Sequence, residues 1–96
     1  MNQYIASSVR LGENTRLGVN VVLLEDVEIG ANCLIGNNVV IHPGSRIGDN
    51  VRVDDNCVIG KRPLSSPRSI FKVPEGLSPA KIGSGCQIGA NVVIYA

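Results

Sequence analysis

The chain of 96 residues contains a single histidine, His42, in the run Ile41-His42-Pro43-Gly44. Imidazole ordinarily titrates at about 6.5, so a lone histidine can take a proton from a nucleophile near neutral pH and hand it on, the work of a general base. It cannot hold a metal alone, because protein zinc sites share the ion among three or four side chains, and no second histidine exists to share it. The other group of chemical interest is cationic. Lys61, Arg62, Arg68 and Lys72 fall in a segment, 61–80, that holds one acid, Glu75. Cations gathered on one arm hold phosphate groups by charge-assisted hydrogen bonds. The same segment carries four of the five prolines (63, 67, 74, 79) and four serines. It reads as a loop thrown out of the domain, and as its most mobile part.

Composition excludes several classes of function. Nine Lys+Arg against eight Asp+Glu leave a net charge of +1, which argues against a general electrostatic grip on nucleic acid or an anionic membrane. The longest aliphatic run is Val21-Val22-Leu23-Leu24, against the roughly 20 residues of a membrane span. The N-terminus has no basic stretch followed by an apolar one, so no signal peptide is expected. With no Trp, one Phe and two Tyr, the core must be aliphatic.

The elements that position these groups follow from a repeat. Ile5, Leu11, Leu17, Leu23, Ile29, Ile35, Ile41, Ile47, Val53 and Ile59 are spaced six apart, and Ile82, Ile88 and Ile94 resume the spacing after the loop. Eight of the eleven glycines directly follow one of these residues. Two places before stands a small or β-branched residue, such as Val21, Val39, Ser45 or Cys57; three places after stands Asn, Asp or Gly almost every time. Residues two apart on a strand face the same side, so the aliphatic residue and its small partner both point inward. Asn, Asp and Gly accept a left-handed backbone at low cost and therefore mark tight corners. One strand plus one corner, stacked coil on coil, makes a parallel β-solenoid. Three units of six close a triangular coil of eighteen residues, and thirteen units give a little over four coils.

The cysteines, Cys33, Cys57 and Cys86, all fall in the inward small-residue slot. They read as free buried thiols that pack as small apolar side chains. Their wide spacing gives no zinc cluster and suggests a reducing, cytoplasmic compartment.

Outward residues sort by coil into three sides. One shows Arg10, Glu28, Arg46 and Lys81; a second shows Arg16, Leu34, Arg52 and Gln87. The third shows Tyr4, Val22, Val40, Val58 and Val93, flanked by Ala6, Leu24, His42, Gly60 and Tyr95. So long an apolar stripe reads as a subunit interface, with His42 on it and one coil below the root of the basic arm.

Stretches such as Ile29-Gly30-Ala31-Asn32-Cys33-Leu34-Ile35-Gly36 and Ile82-Gly83-Ser84-Gly85-Cys86-Gln87-Ile88-Gly89-Ala90-Asn91 resemble the hexapeptide-repeat acyltransferase superfamily, over essentially the whole chain outside the loop. The resemblance implies an all-β, left-handed parallel β-helix. That hand runs against the right-handed crossovers of nearly all other parallel sheets. It also implies homotrimers, here through Val22, Val40, Val58 and Val93, that bind an acyl-coenzyme A or acyl carrier protein between neighbouring prisms. The run Ile59-Gly60-Lys61-Arg62-Pro63, a loop, then Ile82-Gly83 is most similar to N-acetyltransferases of nucleotide-linked amino sugars. That likeness implies acetyl-coenzyme A as the acyl donor; with it, His42 reads as the catalytic base or as a packing residue of the interface, and Lys61, Arg62, Arg68 and Lys72 as phosphate-binding residues or as part of a spacer. Such enzymes usually have more coils, whereas this chain stops inside a repeat at Ile94-Tyr95-Ala96. Residues 1–96 are therefore expected to be a single β-helix domain forming the N-terminal part of a longer protein. The competing reading is a non-catalytic β-helical scaffold or oligomerisation module, which would show no saturable affinity for coenzyme A. A zinc hydratase of the same fold would want three histidines, and ice binding a threonine ladder, of which only Thr15 is present.

Overall fold

The computed structural model describes residues 3–62 and 78–96. Its strands run β1 (Tyr4–Ile5), β2 (Arg10–Leu11), β3 (Arg16–Leu17), β4 (Val22–Leu23), β5 (Glu28–Ile29), β6 (Leu34–Ile35) and β7 (Val40–Ile41). They continue as β8 (Arg46–Ile47), β9 (Arg52–Val53), β10 (Val58–Lys61), β11 (Lys81–Ile82), β12 (Gln87–Ile88) and β13 (Val93–Tyr95). Every third strand pairs in parallel, giving the orders β1-β4-β7-β10-β13, β11-β8-β5-β2 and β12-β9-β6-β3. These are the three sides of a left-handed parallel β-helix, and no helix occurs among the described residues.

The register is the one that the period of six demands. Ile5, Leu23, Ile41, Ile59 and Ile94 stack in one ladder, with Tyr4, Val22, Val40, Val58 and Val93 beside them pointing out. Lys81 pairs with Arg46 and Gln87 with Arg52, so the interruption leaves the coil order intact. All ten expected corner residues, Asn14, Asn20, Asp26, Asn32, Asn38, Gly44, Asn50, Asn56, Gly85 and Asn91, have positive φ, between 58° and 80°. Their amides tie coil to coil: Asn32 N donates to the Glu13 carbonyl at 2.8 Å and Asn38 N to that of Val19 at 2.8 Å.

The core is the inward ladder. Val21, Leu23, Val27, Val39, Ile41, Cys57 and Ile59 are fully buried. Leu11, in the same slot of the first coil, is 42% exposed, because a rung at the end of a stack has a neighbour on one side only.

Two expectations need correction. Cys86 is exposed, although Cys33 and Cys57 are buried; all three thiols are free. The buried thiols donate to carbonyls of the following coil, Cys33 to Gly48 at 3.1 Å and Cys57 to Gly89 at 3.0 Å. The break in the repeat is also shorter than 61–80. Lys61 belongs to β10 and pairs with Tyr95, while Ala80 is buried in the inward slot above Ser45, its carbonyl accepting from Arg46 N at 2.9 Å. Residues 63–77 lie outside the described residues, and with them the expectation of a mobile arm.

Candidate functional site

His42 directly follows β7, at the edge where the apolar side turns its corner. Its backbone N–H donates to the Ile59 carbonyl at 2.9 Å, which fixes it one coil below β10. Pro43 presets the turn, Gly44 supplies its left-handed residue (φ 77°), and Ser45 N closes it on the His42 carbonyl at 3.3 Å. Pro79 packs on this corner, since a Cβ on Gly44 would come within 2.9 Å of its Cγ.

The slot after the inward aliphatic residue, on this side of the prism, is filled by Ala6, Leu24, His42 and then Gly60. Gly60 is the one member without a side chain; a Cβ there would overlap the Ser45 hydroxyl and stand 3.4 Å from His42 Cβ. A cavity of about 410 Å³ opens at this point, lined by His42, Pro43, Gly60, Lys61, Arg62, Pro79 and Ala96. His42 is half-buried and shares the cavity with two prolines, a glycine and two cations. No hydrogen bond reaches the imidazole ring among the described residues.

Of the site residues expected from the sequence, His42, Lys61 and Arg62 line this one cavity; Arg68 and Lys72 lie outside the described residues. Pro79 and Ala96 also line it and were not expected. Their signal was present in the numbering: Pro79 ends the interruption just before the repeat resumes, and Ala96 falls one coil above Lys61, whose carbonyl accepts from Ala96 N at 3.0 Å.

Larger hollows, of about 870 and 600 Å³, lie along the charged side around Arg10, Glu28, Arg46 and Lys81. They are less suited to chemistry. Glu28 sits between Arg46 (3.1 Å) and Arg10 (3.7 Å) and takes up their charge in exposed ion pairs, which are worth little energetically. The one histidine is elsewhere. On the apolar side, Tyr4, Val93 and Tyr95 are 53%, 46% and 55% exposed, and Val22, Val40 and Val58 are half-buried between them.

A family model described as bacterial transferase hexapeptide (six repeats) matches residues 8–43 and 32–61. A second, described as hexapeptide repeat of succinyl-transferase, matches residues 76–96. Among curated proteins, none matches the chain.

Proposed function

Because the chain belongs to the bacterial transferase hexapeptide family, we propose that it moves an acetyl or other acyl group from coenzyme A to the amine of a sugar nucleotide. The observation that carries this reading is that the only histidine and two adjacent cations share one cavity. A neutral amine attacks the thioester carbonyl carbon, forming the C–N bond as the C–S bond breaks. His42 accepts the amine proton and returns it to the departing thiolate, so that no net proton is gained or lost. The phosphates of the coenzyme or of the nucleotide lie against Lys61 and Arg62, with Arg68 and Lys72 as further candidates. Cations of this kind position the ligand rather than take part in bond making.

The apolar stripe of Val22, Val40, Val58 and Val93 is the surface we assign to a homotrimer. A neighbouring prism laid against it would shield His42 from water, and water exclusion strengthens every polar contact at the site.

Thiol release from acetyl-coenzyme A, measured over a panel of amino-sugar nucleotides, tests the reading, with His42→Ala as control. Turnover that depends on both the amine and His42 is the expected result. The competing reading, a non-catalytic scaffold, draws on the lack of any polar side chain orienting the imidazole among the described residues. Failure of coenzyme A to bind saturably would favour it.

A further inference from the structure

Three inward side chains with a polar hydrogen share one habit. Thr15 Oγ1 donates to the Gly30 carbonyl at 2.6 Å, Cys33 Sγ to Gly48 at 3.1 Å, and Cys57 Sγ to Gly89 at 3.0 Å. In each case the acceptor is the glycine that precedes the corner of the next coil. Ser45 is the fourth such residue, and its counterpart, fifteen positions on as in the first two pairs, is Gly60. That bond is not made. The Ser45 side chain is fully buried and its hydroxyl has no partner among the described residues.

Gly60 explains the omission. Its φ is 81°, whereas none of the acceptor glycines 30, 48 and 89 has a positive φ. The ladder slips at this residue: Ile59 pairs with Ile94, but it is Lys61, not Gly60, that pairs with Tyr95. Gly60 is therefore the extra residue of a β-bulge, a device that re-aims the side chains following it. The slot itself does not require glycine, since Ala6, Leu24 and His42 occupy it with side chains and without positive φ. What requires glycine is the bulge. A buried donor left unpaired is unfavourable, so an arrangement that strands Ser45 persists where something else is gained.

Resting on the proposed function, we infer that Gly60 is a positioning residue: its bulge, kept at the expense of the Ser45 hydrogen bond, turns Lys61 and Arg62 over His42 to form a site for a pyrophosphate-bearing ligand. Without the bulge, β10 ends at Ile59, as β4 and β7 end at Leu23 and Ile41, the Ser45 hydroxyl regains its carbonyl, and Lys61 takes the place of an ordinary corner residue.

The test uses inorganic pyrophosphate as probe, so that it does not depend on acyl transfer. Calorimetric titration is run on the wild type, Ser45→Ala, Gly60→Ala and the double variant Ser45→Ala/Gly60→Ala. A Cβ on Gly60 would overlap the Ser45 hydroxyl but lies 3.7 Å from Ser45 Cβ, so the double variant is free of that overlap, and circular dichroism before titration checks that it is folded. Expected are saturable binding by the wild type, unchanged affinity and undiminished thermal stability for Ser45→Ala, and at least tenfold weaker binding for the double variant. Restored binding in the double variant would mean that Gly60 merely leaves room for Ser45, and would overturn the inference. So would a Ser45→Ala protein that melts clearly lower, because its hydroxyl would then have been bonded. A wild type that ignores pyrophosphate yet transfers acyl groups refutes this inference alone; one that binds it as expected yet transfers none refutes the acyl-transfer reading alone.

Discussion

Leu11 and Leu23 hold the same slot of the repeat and differ only in their place along the stack. Leu23 is fully buried, with Ile5 in register on one side and Ile41 on the other; Leu11 is 42% exposed and has Ile29 on one side only. Replacing leucine by alanine removes roughly three carbons, worth about 2.4 kcal/mol of transfer energy at ~0.8 kcal/mol per group when burial is complete. At Leu23 the two flanking rungs hold the void open, so the total cost should reach about 3–5 kcal/mol. At Leu11 roughly half the transfer term is lost and no closed cavity forms, which leaves about 1–1.5 kcal/mol. The two variants should therefore differ by about 1.5–4 kcal/mol, or about 1.5–4 M in urea midpoint for a slope of about 1 kcal/mol/M. Equilibrium unfolding followed by circular dichroism at one fixed protein concentration measures this, since association would otherwise shift the midpoints. Midpoints within about 0.5 M of each other would refute the idea that stability here is set rung by rung through nearest neighbours.

His42→Ala should lower turnover by about 10²–10⁴-fold while coenzyme A affinity and oligomeric state hold; a loss under about tenfold in steady-state assays would make the imidazole a packing group. Val40→Asp should convert the expected trimer into smaller species in light scattering, and a wild type already monomeric at tens of micromolar would dispose of the interface. The single substitution is the cleaner one, because Val40 and Val58 are directly opposed and two aspartates there would repel within one prism. Cys86 should react with a thiol reagent in the folded protein and Cys33 and Cys57 only after unfolding, as their exposures require; one fast and two slow thiols in a stopped-flow trace is the expected pattern.

Far more of this fold was legible than is usual, and the reason is physical. In a solenoid the contact partner of each residue sits at a constant offset, so sequence order already contains the register. Tyr4, Val22, Val40 and Val58 could be stacked on paper, and across the interruption so could Val93, because the corner residues Gly85 and Asn91 kept the phase. What was not legible is every departure from the average rung. Cys86 obeys the pattern of Cys33 and Cys57, yet is exposed, because burial is set by the neighbours of a rung, which the pattern of a single rung does not register. Lys61 was assigned to the loop because the repeat ends there by composition, although its backbone stays in the ladder.

Gly60 is the instructive case. A glycine after the aliphatic residue is what most rungs have, so compared with its neighbours in sequence it is unremarked. Compared instead with the residues stacked on it, Ala6, Leu24 and His42, it is the odd member, and it lines the cavity beside His42. The positive φ and the stranded Ser45 hydroxyl are consequences of backbone choice, which composition does not encode when the residue is glycine. A regular solenoid presents the same shallow corner at every level and has no reason to bind a ligand at one level rather than another. Local agreement between sequence and fold breaks where function is placed. Here the bulge, the missing side chain, the histidine and the paired cations coincide at one corner of one coil, and that coincidence, more than any one of the residues, is the argument for a site.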